Sequence, residues 1–568
     1  MQTRMKKFLS NYAKGLLTLV FGLVVFIFWR YRYPFALTYQ EQFQLFLTDG
    51  DYFCNRISEP GGLARYLAEF LVQFFNSVTM GAAILAVLFI LIQQLTWRLM
   101  RRAEYYLLSF LPALLLWYAM GDESVLLTYV VALLMAMTAV LGWRCLGAGH
   151  KMVKWISIVV MIPILYWLIG PLVLLVAVCL LPVPMAVVAA VYAIACILAS
   201  AWVLPYPLTC LMVSVGYYRF PETLPYVLMG IPVLIMLLSV FDHRLPKLGK
   251  WAGYALPLAM TALLFVAQDF GFDAKKYELI EYDYLVRVKD WQGIIAKAEQ
   301  KTPDLPMSVS ATNLALAMTN QLGERAFEFY QRGSEGLLPK FERNFATTQL
   351  TGEIYFHLGL VNTAQRFAFE AMEAIPNYNK SARAVKRLAE TNLINGQYEV
   401  ARKYLQILEK TIFYRPWAQR TMALLGDEQA INDHPLYGWL RKVRLTDDFL
   451  FSEQELDKIC GQLFMHNQHN QMAVQYLLMA PLLERNIPTF MQYVKVVQNR
   501  VNYNPRHCQE AIAFAFMQQR QQPPKGFVSQ FTLQQLNDFA RVYSSDKNST
   551  ELDRFQNTVW YYLLRKKE

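Results

Sequence analysis

From Trp155 to Tyr218 the chain carries no charged side chain, an interval of roughly 64 positions where one bilayer crossing takes about 20. An apolar run of that length needs a membrane as its solvent. By length it predicts three crossings. Gly170-Pro171, Pro182-Val-Pro184 and Pro205-Tyr-Pro207 punctuate it and leave room for broken or re-entrant helices. Further apolar runs occupy 15–29, 77–95, 105–120, 124–142, 225–241 and 251–268. About nine spans result, all within residues 1–273. From Lys275 onward the chain is charged and amphipathic. The expected fold class is therefore all-α: a polytopic helical bundle over 1–273, then a soluble helical domain over 274–568.

Orientation follows from loop charge. Large residues (Phe26, Phe28, Trp29, Arg30) stand where a cleaved leader would need small ones, so the first apolar run reads as an uncleaved span. With the N-terminus in the cytoplasm, inside segments up to Asp273 hold thirteen basic residues and outside segments five, which agrees with the positive-inside rule. His150, Lys151 and the run His243 to Lys250 fall in inside loops. The acids of this half fall outside, apart from Glu104 and Asp242, and Glu222 is among the outside ones. The net charge of +11 is thus explained by topology. No compact basic patch with interleaved aromatics occurs, which argues against a nucleic-acid partner. The seven cysteines show no C-x-x-C and no metal or disulfide spacing, and read as small apolar residues.

Beyond 274 the pattern is one of helical hairpins. Gly359 and Ala364, then Gly396 and Ala401 about 37 residues later, sit where a tetratricopeptide repeat places small residues so that paired helices pack closely. Asp290 to Ala296 and Asn467 to Leu483 look like weaker copies. The resemblance covers residues 276–420 best. It implies a domain that binds a protein partner or holds a neighbouring domain in place, and nine spans from an inside N-terminus put that domain outside.

The stretch 31–76, between the first two spans, is the candidate site. It holds five acids: Glu41, Asp49, Asp51, Glu59 and Glu69. Tyr39, Phe43, Phe46 and Leu47 recur at helical spacing. Leu63, Leu67, Phe70, Leu71 and Phe74 form a second apolar face after Pro60-Gly61-Gly62, with Arg65, Glu69, Gln73 and Asn76 opposite. The expectation is two amphipathic helices lying in the outer membrane–water interface, against membrane lipid. Glu41 and Gln44 are neighbours on the first helix, and Asp49 and Asp51 follow in a Gly-containing turn. The plainer account of these residues is a solvated polar face; the functional one is an acidic site.

The motifs Glu41-Gln-Phe-Gln-Leu-Phe, Asp51-Tyr-Phe, Pro60-Gly-Gly-Leu-Ala-Arg-Tyr and Tyr217-Tyr-Arg-Phe-Pro221 resemble an uncharacterised family of polytopic membrane proteins of Bacteroidota. That resemblance implies a bacterial source, so that the membrane is the inner membrane and the outside, where the loop charges put the C-terminal domain, is the periplasm. The layout also resembles the GT-C superfamily of membrane glycosyltransferases, by architecture and without a strict motif. This second resemblance implies a carboxylate that takes a proton from an acceptor hydroxyl, a sugar on a lipid-phosphate carrier, and a cation or divalent metal on the leaving phosphate. Glu41, Asp49 or Asp51 is then the candidate base. Arg219, between aromatic residues at a span's outer end, is the candidate phosphate ligand; Arg65 is the second choice, with Gln44 nearby. Interfacial snorkelling is the simpler role for Arg219.

Three weaker features complete the reading. His466 and His469 have helix-compatible spacing for a metal but no third ligand. Asp433-His434-Pro435 reads as a turn. Asn548-Ser-Thr550 fits a short glycosylation pattern. A non-enzymatic scaffold whose outside domain recruits partners in envelope assembly is the alternative function. A transporter is disfavoured by the absence of ionisable groups between Trp155 and Tyr218.

Overall fold

The computed structural model describes residues 2–100, 103–145, 151–180, 183–213, 216–220, 226–240, 252–342, 344–376, 379–446 and 455–564. His150, the run His243 to Lys250, Pro182, Pro221, Glu222 and Asp242 lie outside the described residues. Among those described, regular structure is helical throughout; β-pairing is limited to two isolated bridges, Val125 with Tyr218 and Arg332 with Ser334.

The chain divides into two compact units. The first comprises residues 1–277 together with two later segments, 375–382 and 409–416. Its helices are α1 (Gln2–Ile27), α2 (Pro34–Gln42), α3 (Gly50–Ile57), α4 (Gly62–Val72), α5 (Val78–Leu99), α6 (Leu111–Ala119), α7 (Leu127–Cys145), α8 (Lys151–Ile169), α9 (Val173–Cys179), α10 (Val183–Val203), α11 (Leu208–Val213), α12 (Tyr226–Val240) and α13 (Ala252–Ala267).

Five stretches are helical, long and apolar enough to cross a bilayer: Tyr12–Arg32, Val78–Leu99, Leu127–Cys145, Met152–Cys179 and Val183–Val203. Three of the other expected spans coincide with shorter apolar helices, Tyr105–Ala119, Tyr226–Val240 and Leu258–Gly271. The charge-free interval differs from expectation. It holds two long helical stretches, and its third part contributes only the six-residue α11. At 1.5 Å per residue that is roughly 9 Å, against a hydrocarbon core of about 30 Å. Pro205 and Pro207 end α10 and restrict the backbone before α11.

Within the bundle a small polar cluster is closed on itself. The buried Thr18 hydroxyl bonds Gln93 at 3.1 Å and also meets the Tyr106 hydroxyl, while Gln93 Nε2 donates to Ser109 Oγ at 2.7 Å. Such groups survive among apolar helices because each finds a partner.

The second unit comprises residues 278–374, 383–408 and 417–568. One continuous hydrophobic core runs through it from Tyr282 to Tyr561. Helix Gln471–Leu483 is buried from Met472 to its end, as expected of a helix that is apolar all round. Its N-cap Asn470 accepts from Ala473 N–H at 3.1 Å and donates to the Leu358 carbonyl at 2.8 Å.

The repeat-like glycines have a specific task. Gly359 (φ 97°) turns the chain between helices Phe345–Leu358 and Val361–Glu373, and Gly396 (φ 76°) does so between Ala382–Ile394 and Tyr398–Glu409. Both lie in the left-handed region, which disfavours a Cβ. The close packing comes instead from Ala364 and Ala401, which are fully buried. A Cβ on Gly359 would also come within 2.9 Å of Val443, whereas one on Gly396 would meet open space. Gly396→Ala should therefore cost about 1 kcal/mol, the left-handed term alone, and Gly359→Ala more. Thermal melts of the detergent-solubilised full chain check this; equal shifts would remove the role given to Val443.

Candidate functional site

Helix α2 starts at Pro34, whose fixed φ suits a first helical turn, and ends at Gln42. It does not continue through Phe46 and Leu47 as the spacing suggested. Residues 44–48 run without helical structure and bond two later segments of the same unit. Leu45 N–H donates to the Lys380 carbonyl at 3.0 Å, and Thr48 N–H to the Lys410 carbonyl at 2.9 Å. These partners supply what a further helical turn would have supplied. The loop thus forms three short helices, α2, α3 and α4, rather than two.

Polar side chains of α2 are buried on all sides, and each takes a bond. Gln40 Nε2 donates to the Val125 carbonyl at 3.0 Å, and Gln42 Nε2 to the Thr38 carbonyl at 3.2 Å. Glu41, 4% exposed, accepts from the Tyr414 hydroxyl at 3.0 and 3.2 Å. Asn76 Nδ2 reaches the same hydroxyl at 3.4 Å.

Arg219 is also buried. Its Nη1 donates to the Tyr39 hydroxyl at 3.0 Å, and its guanidinium lies 4.6 Å from the Phe43 ring centroid. Tyr39 and Phe43 are four residues apart and share one side of α2. Glu41 is two residues from each, about 200° around at 100° per residue. Through Tyr39, Arg219 therefore meets one side of α2, and through Glu41, Tyr414 meets another.

Asp49 caps α3 by accepting from Tyr52 N–H at 3.0 Å, and pairs with Lys410 Nζ at 2.6 Å. The hydrogen bond and charge of Lys410 hold its carboxyl below the usual range. That direction keeps it ionised and makes it a weaker base. Asp51 lies in the first turn of α3 and is exposed. Gln44 is 2% exposed, and among the described residues neither atom of its amide has a hydrogen-bond partner.

Arg65 belongs to a different cluster. Glu69, 1% exposed, accepts from Arg56 Nε at 2.7 Å, Arg65 Nε at 3.1 Å and the Tyr52 hydroxyl at 2.6 Å. Arg65 also pairs with Glu59 at 2.9 Å. Both arginines reach Asn379 Oδ1, at 3.0 and 2.9 Å. Two guanidiniums and two carboxylates make the cluster neutral. Gly61 (φ 82°) and Gly62 permit it: a Cβ on Gly62 would lie 2.1 Å from the Arg56 carbonyl oxygen.

The enclosed side of α4 carries two charged residues beside Ala64, Ala68 and Val72. Arg65 and Glu69 are enclosed while Leu67 and Phe70 are 38% and 37% exposed. An apolar outer face suits lipid as the surrounding solvent.

Sequence reasoning missed Asn379, Lys410 and Tyr414, which carry no local signal. It also missed a buried network in the second unit. Glu353 takes two bonds from Arg387 Nη2, at 2.7 and 2.8 Å; Arg387 also pairs with Glu390, and Arg383 with Asp283 at 2.8 Å. His357 lies 3.8 Å from Glu353. Helical spacing (353 and 357; 383, 387 and 390) was the available signal. Burial alone would raise the Glu353 carboxyl, but Arg387, Arg383 and His357 outweigh it and hold it at about 2. Burial pushes the His357 imidazole down to about 4, against the pull of Glu353.

The helices define, by length and composition, an all-α membrane protein. The chain belongs to a family of unknown function, DUF6057, which it matches over residues 9–566. No curated protein and no solved structure matches it.

Two outcomes follow. Glu69→Gln leaves two guanidiniums buried with one carboxylate fewer, and should destabilise the full chain by about 3–5 kcal/mol, while Asp51→Asn leaves its melt in place. Unfolding should also depend on acid in a fixed direction. His357 is lowered from 6.5 to about 4, so its contribution is complete above pH 6.5 and is lost as pH falls toward 4. Glu353 is lowered from 4.5 to about 2, so its contribution is lost between those values. Melting temperature should fall from about pH 7 to 5, and His357→Gln should flatten that fall.

Proposed function

We propose that this protein is a non-enzymatic scaffold of a bacterial inner membrane, whose C-terminal tetratricopeptide-like region stands in the periplasm and recruits protein partners. One observation carries this reading. Polar side chains of the outer loop end on two segments contributed from much later in the chain: Glu41 on Tyr414, Asp49 on Lys410, Arg56 and Arg65 on Asn379. Charges spent on holding chain segments are a receptacle's charges. A transfer site needs its carboxylate and its cation facing one reacting atom. The inside N-terminus and the periplasmic placement of the C-terminal region belong to this reading and rest on the loop charges.

A second reading, a GT-C-like transfer of sugar from a lipid-phosphate carrier, is favoured by one feature, the buried Gln44 amide with neither atom bonded among the described residues. Ligand atoms would satisfy such a group. Glu41 would be the base there.

Surface-glycan profiling separates the two. Cells carrying Glu41→Gln, Asp51→Asn or Arg219→Gln at wild-type chain levels should show unchanged glycans. Loss of one glycan class by about a hundredfold or more with Glu41→Gln, and not with Asp51→Asn, would replace the scaffold by the transferase.

A further inference from the structure

The second unit contains a cavity of about 380 Å³, within the size range of small-molecule pockets and independent of the outer loop. Two arginines line it, Arg332 and Arg485. Arg485 lies over the Tyr562 ring, 5.0 Å from its centroid, and that ring is fixed because its hydroxyl donates to the Leu483 carbonyl at 2.8 Å. Arg332 Nη1 donates to the Asp304 carbonyl at 3.1 Å. Among the described residues neither guanidinium has a carboxylate within 4.0 Å. The acid that lines the cavity, Glu328, is already bound to Arg325 Nε at 2.7 Å. Both arginines are exposed, so the cavity presents positive charge at a solvent-facing rim with no carboxylate paired to it among the described residues.

The remaining lining narrows the ligand. Thr302, Gln556 and Asn557 contribute side chains that make no hydrogen bond within the described residues, so hydroxyl and amide groups stand ready beside the guanidiniums. An apolar ligand would leave these groups and both charges unpaired, at a cost. A bare inorganic anion would use the arginines and leave the neutral groups idle. We infer that this cavity binds a small hydroxylated anion: an acidic sugar, with its carboxylate or phosphate on Arg332 and Arg485 and its hydroxyls on Thr302, Gln556 and Asn557. Arginine suits both oxyanions because its planar fork donates two parallel bonds.

Titration calorimetry on the detergent-solubilised full chain tests this with glucuronate, glucose 6-phosphate, glucose and inorganic phosphate. At least one acidic sugar should give a saturable heat. Binding of glucuronate alone assigns the carboxylate source, and of glucose 6-phosphate alone the phosphate source. Glucose and inorganic phosphate should each bind at least about tenfold more weakly. Arg485→Asn should weaken the acidic sugar by about tenfold or more; asparagine tolerates the positive φ (60°) at that position, so the turn is kept. Arg332→Gln, at an exposed residue, is the second variant should the first lower the melt. Absence of a saturable heat with both acidic sugars, inorganic phosphate binding as tightly as the better sugar, or unchanged affinity in a folded variant would each overturn the assignment.

Discussion

A carboxylate sealed between two guanidiniums organises the outer part of the first unit. Glu69 is almost wholly enclosed, and an enclosed charge without a partner is costly. Its pairing with Arg56 and Arg65, closed by Glu59, Tyr52 and Asn379, makes burial tolerable. Because the partners come from α3, α4 and the 375–382 segment, the ion cluster specifies how those pieces meet. Hydrophobic contact alone is non-directional and would not set that register.

The same cluster explains why α4 encloses two charged residues. In water the apolar stripe of an amphipathic helix turns inward. Here the charged stripe turns inward to its partners and Leu67 and Phe70 remain outside. An apolar outer face of this kind is compatible with lipid. The second unit follows the soluble rule. Its core is continuous, its turn glycines sit at positive φ, and its enclosed charges, Glu353 with Arg383 and Arg387, are paired within neighbouring helices.

Legibility differed by kind of feature. The apolar runs were readable, since crossing a bilayer is a matter of length and lack of charge. The exception was the end of the charge-free interval, where α11 is six residues long because prolines interrupt the helix. Tyr39 and Phe43 do share a side of α2, but Phe46 and Leu47 do not extend it, since residues 44–48 bond other backbone instead. Of the candidate site residues, Arg219 was rightly read as standing among aromatic rings. Its placement relative to Glu41 required knowing which side of α2 each one meets.

By itself the sequence determined the class: helical, membrane-spanning in its first half, built of hairpins in its second. Those properties depend on local composition and period, which every residue carries with it. Only the tertiary structure decided what the acids of the outer loop do. Lys410 and Tyr414 follow the acids they bind by 361 and 373 positions, and Asn379 follows Arg56 by 323. A side chain's chemistry states that it needs a partner once it leaves water. Which partner it finds is set by the path of the chain, and no local pattern encodes that.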